Sequence, residues 1–194
     1  MQPRGCGRRI TLNINVPGYE VGGILLTEEQ IKERVKEIGK QISEDYKGEN
    51  ILVVGVLKGS FVFMSDLVRA IDGDVSIDFI VASSYGDSTE TSGSVEIKKD
   101  LDRSPAGKNV LIVEDIIDSG VTLKYLKDHY FAGKGAASVK VCTLLDKPAR
   151  RKTDVIPDYS GFTVEDKFII GYGLDYAEQF RQLPHITYLV PKEQ

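Results

Sequence analysis

The run 51–57, ILVVGVL, is apolar throughout and rich in β-branched residues. A strand with one face in water alternates apolar and polar residues, so an unbroken run of this kind belongs to a strand covered on both faces. Covered strands need helices, and the flanking segments supply them. Ile31, Val35, Ile38, Ile42 and Tyr46 recur at helical spacing behind Thr27 and Gln30, a capping-box pair, and Gly48 ends that pattern. Segments 61–71 (FVFMSDLVRAI) and 122–133 (TLKYLKDHYFAG, closed by Gly133) also carry helical spacing. Further strands are predicted at 75–84, 95–101, 109–114 and 138–145, with short ones near 167–172 and 186–190 and a long polar loop over 85–94. Buried strands alternating with helices predict an α/β domain around a central, mainly parallel twisted sheet flanked by helices.

The chain has 194 residues, 41% hydrophobic and 28% charged, which suits one domain with a proper core. Residues 1–25 are expected to form a loose N-terminal arm, basic at first but with no apolar h-region, and 26–194 a single domain without an internal boundary. A net charge of −4 argues against general electrostatic binding of nucleic acid, which needs clustered Lys and Arg. Cys6 and Cys142 are too few for a disulfide framework and show no metal-ligand spacing, so a reducing cytoplasm is expected. No apolar run approaches the roughly 20 residues of a membrane helix.

The stretch 110–122, VLIVEDIIDSGVT, carries the chemistry. In parallel α/β sheets ligands sit beyond the C-terminal ends of the strands, so Glu114, Asp115 and Asp118 are predicted to face a crevice. The turn DSGVT opens a helix, where free N–H groups favour an anion, Gly120 permits close backbone approach, and Ser119 and Thr122 add hydroxyls. Carboxylates are poor phosphate ligands but accept hydrogen bonds from a vicinal diol and balance a divalent cation. Phosphate on one side and diol on the other fit a ribose 5-phosphate. Taken alone, Glu114 and Asp115 also read as solvated acids capping a helix.

The same stretch resembles the phosphoribosyl diphosphate signature of type I phosphoribosyltransferases, and its EDIIDSG form is similar to the hypoxanthine-guanine branch. Segments GVLKGSFVFMSDL, IDFIVASSYG, CTLLDKPARR and DKFIIGYGLDYAEQFRQLPHI look like that family in the same order, so the resemblance covers about 26–190. It implies the family fold, with a small hood made by the terminal segments. It also implies transfer of a phosphoribosyl group from its diphosphate to N9 of hypoxanthine or guanine, with Mg2+ as cofactor and assembly as a homodimer or homotetramer.

The resemblance further implies roles. Glu114 and Asp115 would hold the ribose hydroxyls, directly or through metal; Asp118 would be the acid/base near N7; Ser119, Gly120, Val121 and Thr122 would hold the 5′-phosphate. Lys58 and Gly59, in a loop that often carries a cis peptide in the family, would meet pyrophosphate together with Arg181. Lys147 would donate to the purine O6, Phe168 would stack on the base, the Ile169 backbone would read its edge, and Asp175 would join a second magnesium site on the purine side. Ser84 and Tyr85 fall at the lid positions of a polar stretch, 83–96, expected to close over the sugar. Without the resemblance, Lys58 and Gly59 read as an ordinary turn, Lys147, Asp175 and Arg181 as surface charges, and Phe168 as a core aromatic. Neither His129 nor His185 has a partner pattern. Two other readings share the fold: preference for xanthine, and a regulator that binds nucleic acid. Against the regulator stand the set Asp118, Lys147 and Phe168, the acidic charge, and a segment of 26 residues before the first helix, too short for an added winged-helix domain.

Overall fold

Helix α1 (Glu28–Asp45) starts where its capping box predicts: the Gln30 N–H donates to Thr27 Oγ1 at 3.3 Å and the Thr27 N–H to Gln30 Oε1 at 2.9 Å. The computed structural model describes residues 16–84 and 95–192. After a short strand β1 (Tyr19–Val21) and α1 come β2 (Asn50–Val56), α2 (Phe61–Ala70), β3 (Asp74–Ser84), β4 (Val95–Lys99), β5 (Asn109–Ile117), α3 (Val121–Tyr125), β6 (Ser138–Asp146), β7 (Tyr159–Thr163), β8 (Phe168–Ile170) and β9 (Thr187–Pro191).

The main sheet has the order β4-β3-β2-β5-β6-β7 and is parallel except where β4 returns beside β3. Its centre is as apolar as ILVVGVL predicts, and the two faces pack different partners. Leu111, Val113, Leu144 and Leu145 lie with Ile38, Phe63 and Leu67 of α1 and α2. Val110, Ile112 and Val141 lie with Leu123, Leu126 and Phe131 on the other face. Helix α3 passes into a π-helical turn (Leu126–Phe131) in place of the predicted regular helix, and the wider turn buries Leu126, Tyr130 and Phe131 together. Strand β7, absent from the sequence prediction, is an edge strand. Arg34 of α1 covers it, donating to the Ser160 and Gly161 carbonyls at 2.7 and 3.0 Å.

The terminal segments build a second, antiparallel sheet of order β1-β9-β8. This corrects the arm. From residue 16 onward the segment 1–25 is tied down, because Tyr19–Val21 pairs with Leu189–Pro191 and Val16 is buried with Phe180 and Leu189. Residues 1–15 lie outside the described residues. No described helix is long and apolar enough to cross a membrane.

Helices α1 and α2 meet at Gly39, where an added Cβ would come within 2.6 Å of both Cβ and the carbonyl oxygen of Ala70. Helix propensity alone favours Ala over Gly by about 1 kcal/mol. Overpacking costs about 1–3 kcal/mol and wins here because backbone cannot swing aside. Gly39→Ala is therefore expected to lower unfolding stability in a urea titration; an increase would show that the helix contact is looser than described.

Candidate functional site

Strand β5 continues past the acids to Ile117 instead of ending at Glu114, held by pairing of Glu114 with Thr143 and of Ile117 with Asp146. Alternation along a strand therefore sends the neighbouring carboxylates to opposite faces. Glu114 turns toward Asp118, Ser119, Gly120 and Thr122, which line one concavity with it. Asp115 turns toward α2, where a Cβ on Gly59 would collide with its carboxylate.

Both acids are expensive where they stand. Glu114 Oε2 is buried with no hydrogen-bond partner among the described residues. Burial, then the charges of Asp115 and Asp118, push its carboxyl well above the usual carboxylate range. Burial also pushes Asp115 up to about 6, against hydrogen bonds from backbone N–H groups, including that of Ile116, and the Arg181 charge, which pull it down, while Asp175 adds to the rise.

The turn after β5 is tight. Gly120 has φ of +77°, a conformation that strains any residue with a Cβ, and the Val121 N–H points to Ser119 Oγ at 3.5 Å. Asp118 is exposed and accepts from the Ser119 N–H.

Across the crevice lies the end of β6. Lys147 is 7% exposed, and its backbone N–H donates to the Ile117 carbonyl at 2.9 Å, which places it beside the Asp118 turn. Its ammonium donates to the Lys167 carbonyl at 2.7 Å and lies 3.7 Å from Asp166. Burial lowers its pKa, while Asp166 and Asp118 act in the opposite sense. Phe168 is not a core aromatic: it is 50% exposed, with its ring edge-on to Tyr176 at 5.5 Å, whereas Ile169 beside it is buried. An exposed aromatic face is free to take a planar ligand.

The third wall carries cations paired with acids. The Leu57–Lys58 peptide is cis. Lys58 Nζ lies 3.0 Å from Glu178, which also reaches Arg181 at 3.4 Å; Arg181 pairs with Asp175 at 2.8 Å and donates to the Gly173 carbonyl at 2.8 Å. Gly173 packs so closely that a Cβ would collide with the Gly59 carbonyl. The structure thus gathers Lys58, Gly59, Asp115, Asp175 and Arg181 on one side and Glu114 with 118–122 on the other. Ser84 ends β3 as an exposed residue, while Tyr85 and the rest of the stretch 85–94 lie outside the described residues.

Among the described residues no group of three or more His, Cys, Asp or Glu side chains converges as a self-sufficient metal site. The donor set still suits a magnesium ion that keeps its waters and takes one or two carboxylates plus ligand phosphates. A separate cleft of about 750 Å³ lies between α1, α2 and the loop 181–184; Ile31, Val35 and Leu183 line it, and neither Glu114 nor Asp115 does.

Sequence reasoning missed Glu178, the anion between Lys58 and Arg181, and Arg151, which donates to the carbonyls of Asp118 and Val155 and to the Asp146 carboxylate. Lys58 and Glu178 are 120 positions apart, and backbone carbonyls leave no trace in residue types.

Known proteins match this architecture over nearly the whole described chain. The phosphoribosyl transferase domain family matches residues 23–177. A hypoxanthine-guanine phosphoribosyltransferase from Bacillus subtilis is 49% identical over 173 residues, 89% of this chain and 96% of that protein. The crystal structure of a hypoxanthine-guanine phosphoribosyltransferase from Bacillus anthracis, with a HEPES molecule in its active site, superposes with a TM-score of 0.82 at 54% identity, covering 89% of this chain and 99% of that one. A hypoxanthine phosphoribosyltransferase from Staphylococcus aureus gives a TM-score of 0.84 at 47% identity over 88% and 92% of the two chains. With cradle, buried acids and an open aromatic around one sheet end, and relatives of this identity along its length, the chain belongs to the phosphoribosyltransferase family.

Proposed function

We propose that this protein transfers the 5-phosphoribosyl group from phosphoribosyl diphosphate to N9 of hypoxanthine or guanine, releasing pyrophosphate. The observation that carries the reading is the meeting, at the C-terminal ends of β5 and β6, of a tight Gly-containing turn with buried Asp115, with Glu114 whose Oε2 is buried, and with buried Lys147, which bonds the carbonyl next to the exposed Phe168. The 5′-phosphate rests on Ser119, Gly120, Val121 and Thr122, and Glu114 faces the ribose hydroxyls. Asp115 sits closer to the diphosphate side than a shared diol role would require, since Gly59, Arg181 and Asp175 are its neighbours. Lys58, Gly59 and Arg181 bind the diphosphate, which replaces Glu178 as their counter-charge.

Phe168 stacks on the base, Ile169 reads its edge through the backbone, and Lys147 exchanges the Lys167 carbonyl for the purine O6. N9 attacks C1′ as the C1′–oxygen bond breaks, the electron pair leaves with pyrophosphate, and the purine proton passes from N7 to Asp118. Bound magnesium would neutralise diphosphate charge beside Asp115 and Asp175 and compensate Glu114, whose orphaned oxygen suits a cation. Ser84 and Tyr85 act in the lid, and a homodimer or homotetramer is the assembly carried over from the family resemblance.

Lys147 offers donors only and finds an acceptor in a 6-oxopurine but not in the 6-amino group of adenine. Sites built to hydrogen-bond a substrate group discriminate by about 10⁴–10⁵ against an analogue lacking it. Initial rates with hypoxanthine, guanine, xanthine and adenine test the reading: the first two are expected to lead and adenine to fail. Adenine turned over as fast as hypoxanthine would remove Lys147 from the base site.

The buried acids give a pH signature. The Asp115 carboxyl, raised from 3.8 to about 6 in the folded protein, holds its proton more tightly than in the unfolded chain. Its stabilising contribution is complete below about pH 4 and is lost as pH rises through about 6. Without ligands, Asp115→Asn is expected to be more stable than the parent at pH 7.5 by about 1–3 kcal/mol, with the gap closing at pH 4. Thermal unfolding at the two pH values checks this, and a variant less stable at both would contradict it.

A further inference from the structure

We propose that Arg151 is a positioning residue that fixes Asp118 and Lys147 relative to each other and so sets the fit of the purine's N7–O6 edge. The inference rests on the reaction proposed above. Asp118 and Lys147 come from different strand ends, β5 and β6, yet must meet neighbouring atoms of one rigid ring. The backbone bond from the Lys147 N–H to the Ile117 carbonyl joins the two strand ends below the site. Asp118 itself lies beyond that point, on an exposed turn.

Arg151 supplies the missing tie. Its side chain is 16% exposed, and each of its nitrogens has a separate acceptor. Nε donates to the Asp118 carbonyl at 3.0 Å, Nη1 to the Val155 carbonyl at 2.7 Å, and Nη2 to the carboxylate of Asp146, the residue next to Lys147. One rigid planar group therefore spans the residue that takes the N7 proton and the strand end that carries the O6 donor. The neighbouring backbone tightens the same junction: the Lys152 N–H donates to the Ser119 carbonyl at 2.9 Å, and a Cβ on Gly120 would meet Arg151 Cδ at 3.0 Å. A lysine cannot replace this fork, because its donors radiate from a single atom.

Misplacing a reacting group by about 1 Å can cost about 10²-fold. A role in stability alone would reduce turnover of every base in proportion to the folded fraction. Misalignment of Lys147 relative to an N7 held by Asp118 instead removes the O6 bond, an advantage that only 6-oxopurines enjoy. The readout is therefore the ratio of kcat/KM for hypoxanthine to that for adenine, with adenine measured at high enzyme concentration.

Arg151→Lys is expected to lower that ratio about 10- to 100-fold, with kcat for hypoxanthine falling as well. Asp146→Ala, which keeps both carbonyl bonds but removes the carboxylate anchor, is expected to lower it about 3- to 10-fold, and it serves if Arg151→Lys does not fold. A wild-type ratio in either folded variant overturns the role of Arg151. A wild-type protein that transfers no phosphoribosyl group to hypoxanthine overturns the reaction reading together with this inference, so the two failures are told apart by the parent enzyme alone.

Discussion

Carboxylates removed from water without a counter-ion are the constraint around which this site is arranged. An ionised group in an apolar setting carries a heavy desolvation cost unless it is paired, and it otherwise answers by holding its proton. Glu114 and Asp115 both have their carboxyl pKa raised, at the end of a strand whose preceding residues Val110, Leu111, Ile112 and Val113 are fully buried. The fold holds them there because β5 is central, with β2 on one side and β6 on the other. A cation and a polyhydroxyl ligand change that balance, so the free protein stores a preference for the ligands it is proposed to bind.

The strand's two-residue period then divides the work. Glu114 joins the cradle on the α3 side, and Asp115 joins Gly59, Arg181 and Asp175 on the α2 side. In the proposed reaction, a ligand with phosphate at one end, diphosphate at the other and a sugar between them would span both faces of one strand end. In the second sheet, β8 presents Phe168 outward and buries Ile169, while the Lys167 carbonyl takes the ammonium of Lys147. Positions separated by more than 100 residues thus converge because the second sheet is sewn from both chain ends.

Local signals account for what was legible in the sequence. The Thr27–Gln30 box, the period of α1, and the apolar runs of β2 and β5 are short-range patterns, and the structure follows them. Elements defined by distant partners were not legible. Strand β7, YSGFT, has weak strand character and exists because β6 pairs with it and Arg34 covers its edge; β1, YEV, is too short to read without β9. The π turn answers to the burial of Tyr130 and Phe131, not to a residue pattern. Within the site, Glu114, Asp115, Asp118 and the cradle were readable because one continuous segment supplies them. Arg151 was not, since in the run RRK it has the look of a solvated charge while its partners are mostly carbonyl oxygens.

The central claim, that the carboxylates at the end of β5 hold their protons more tightly in the free protein than when a cation and phosphoribosyl diphosphate are bound, concerns protons and can be counted as such. Titration calorimetry in two buffers of different ionisation enthalpy gives the number of protons exchanged when magnesium phosphoribosyl diphosphate binds. Because Asp115 lies near 6 and Glu114 is also raised, net proton release is expected at pH 6, declining toward pH 8 as Asp115 ionises in the free protein, and smaller in Glu114→Gln than in the parent. Proton uptake, or a count of zero unchanged by that substitution, would contradict the account.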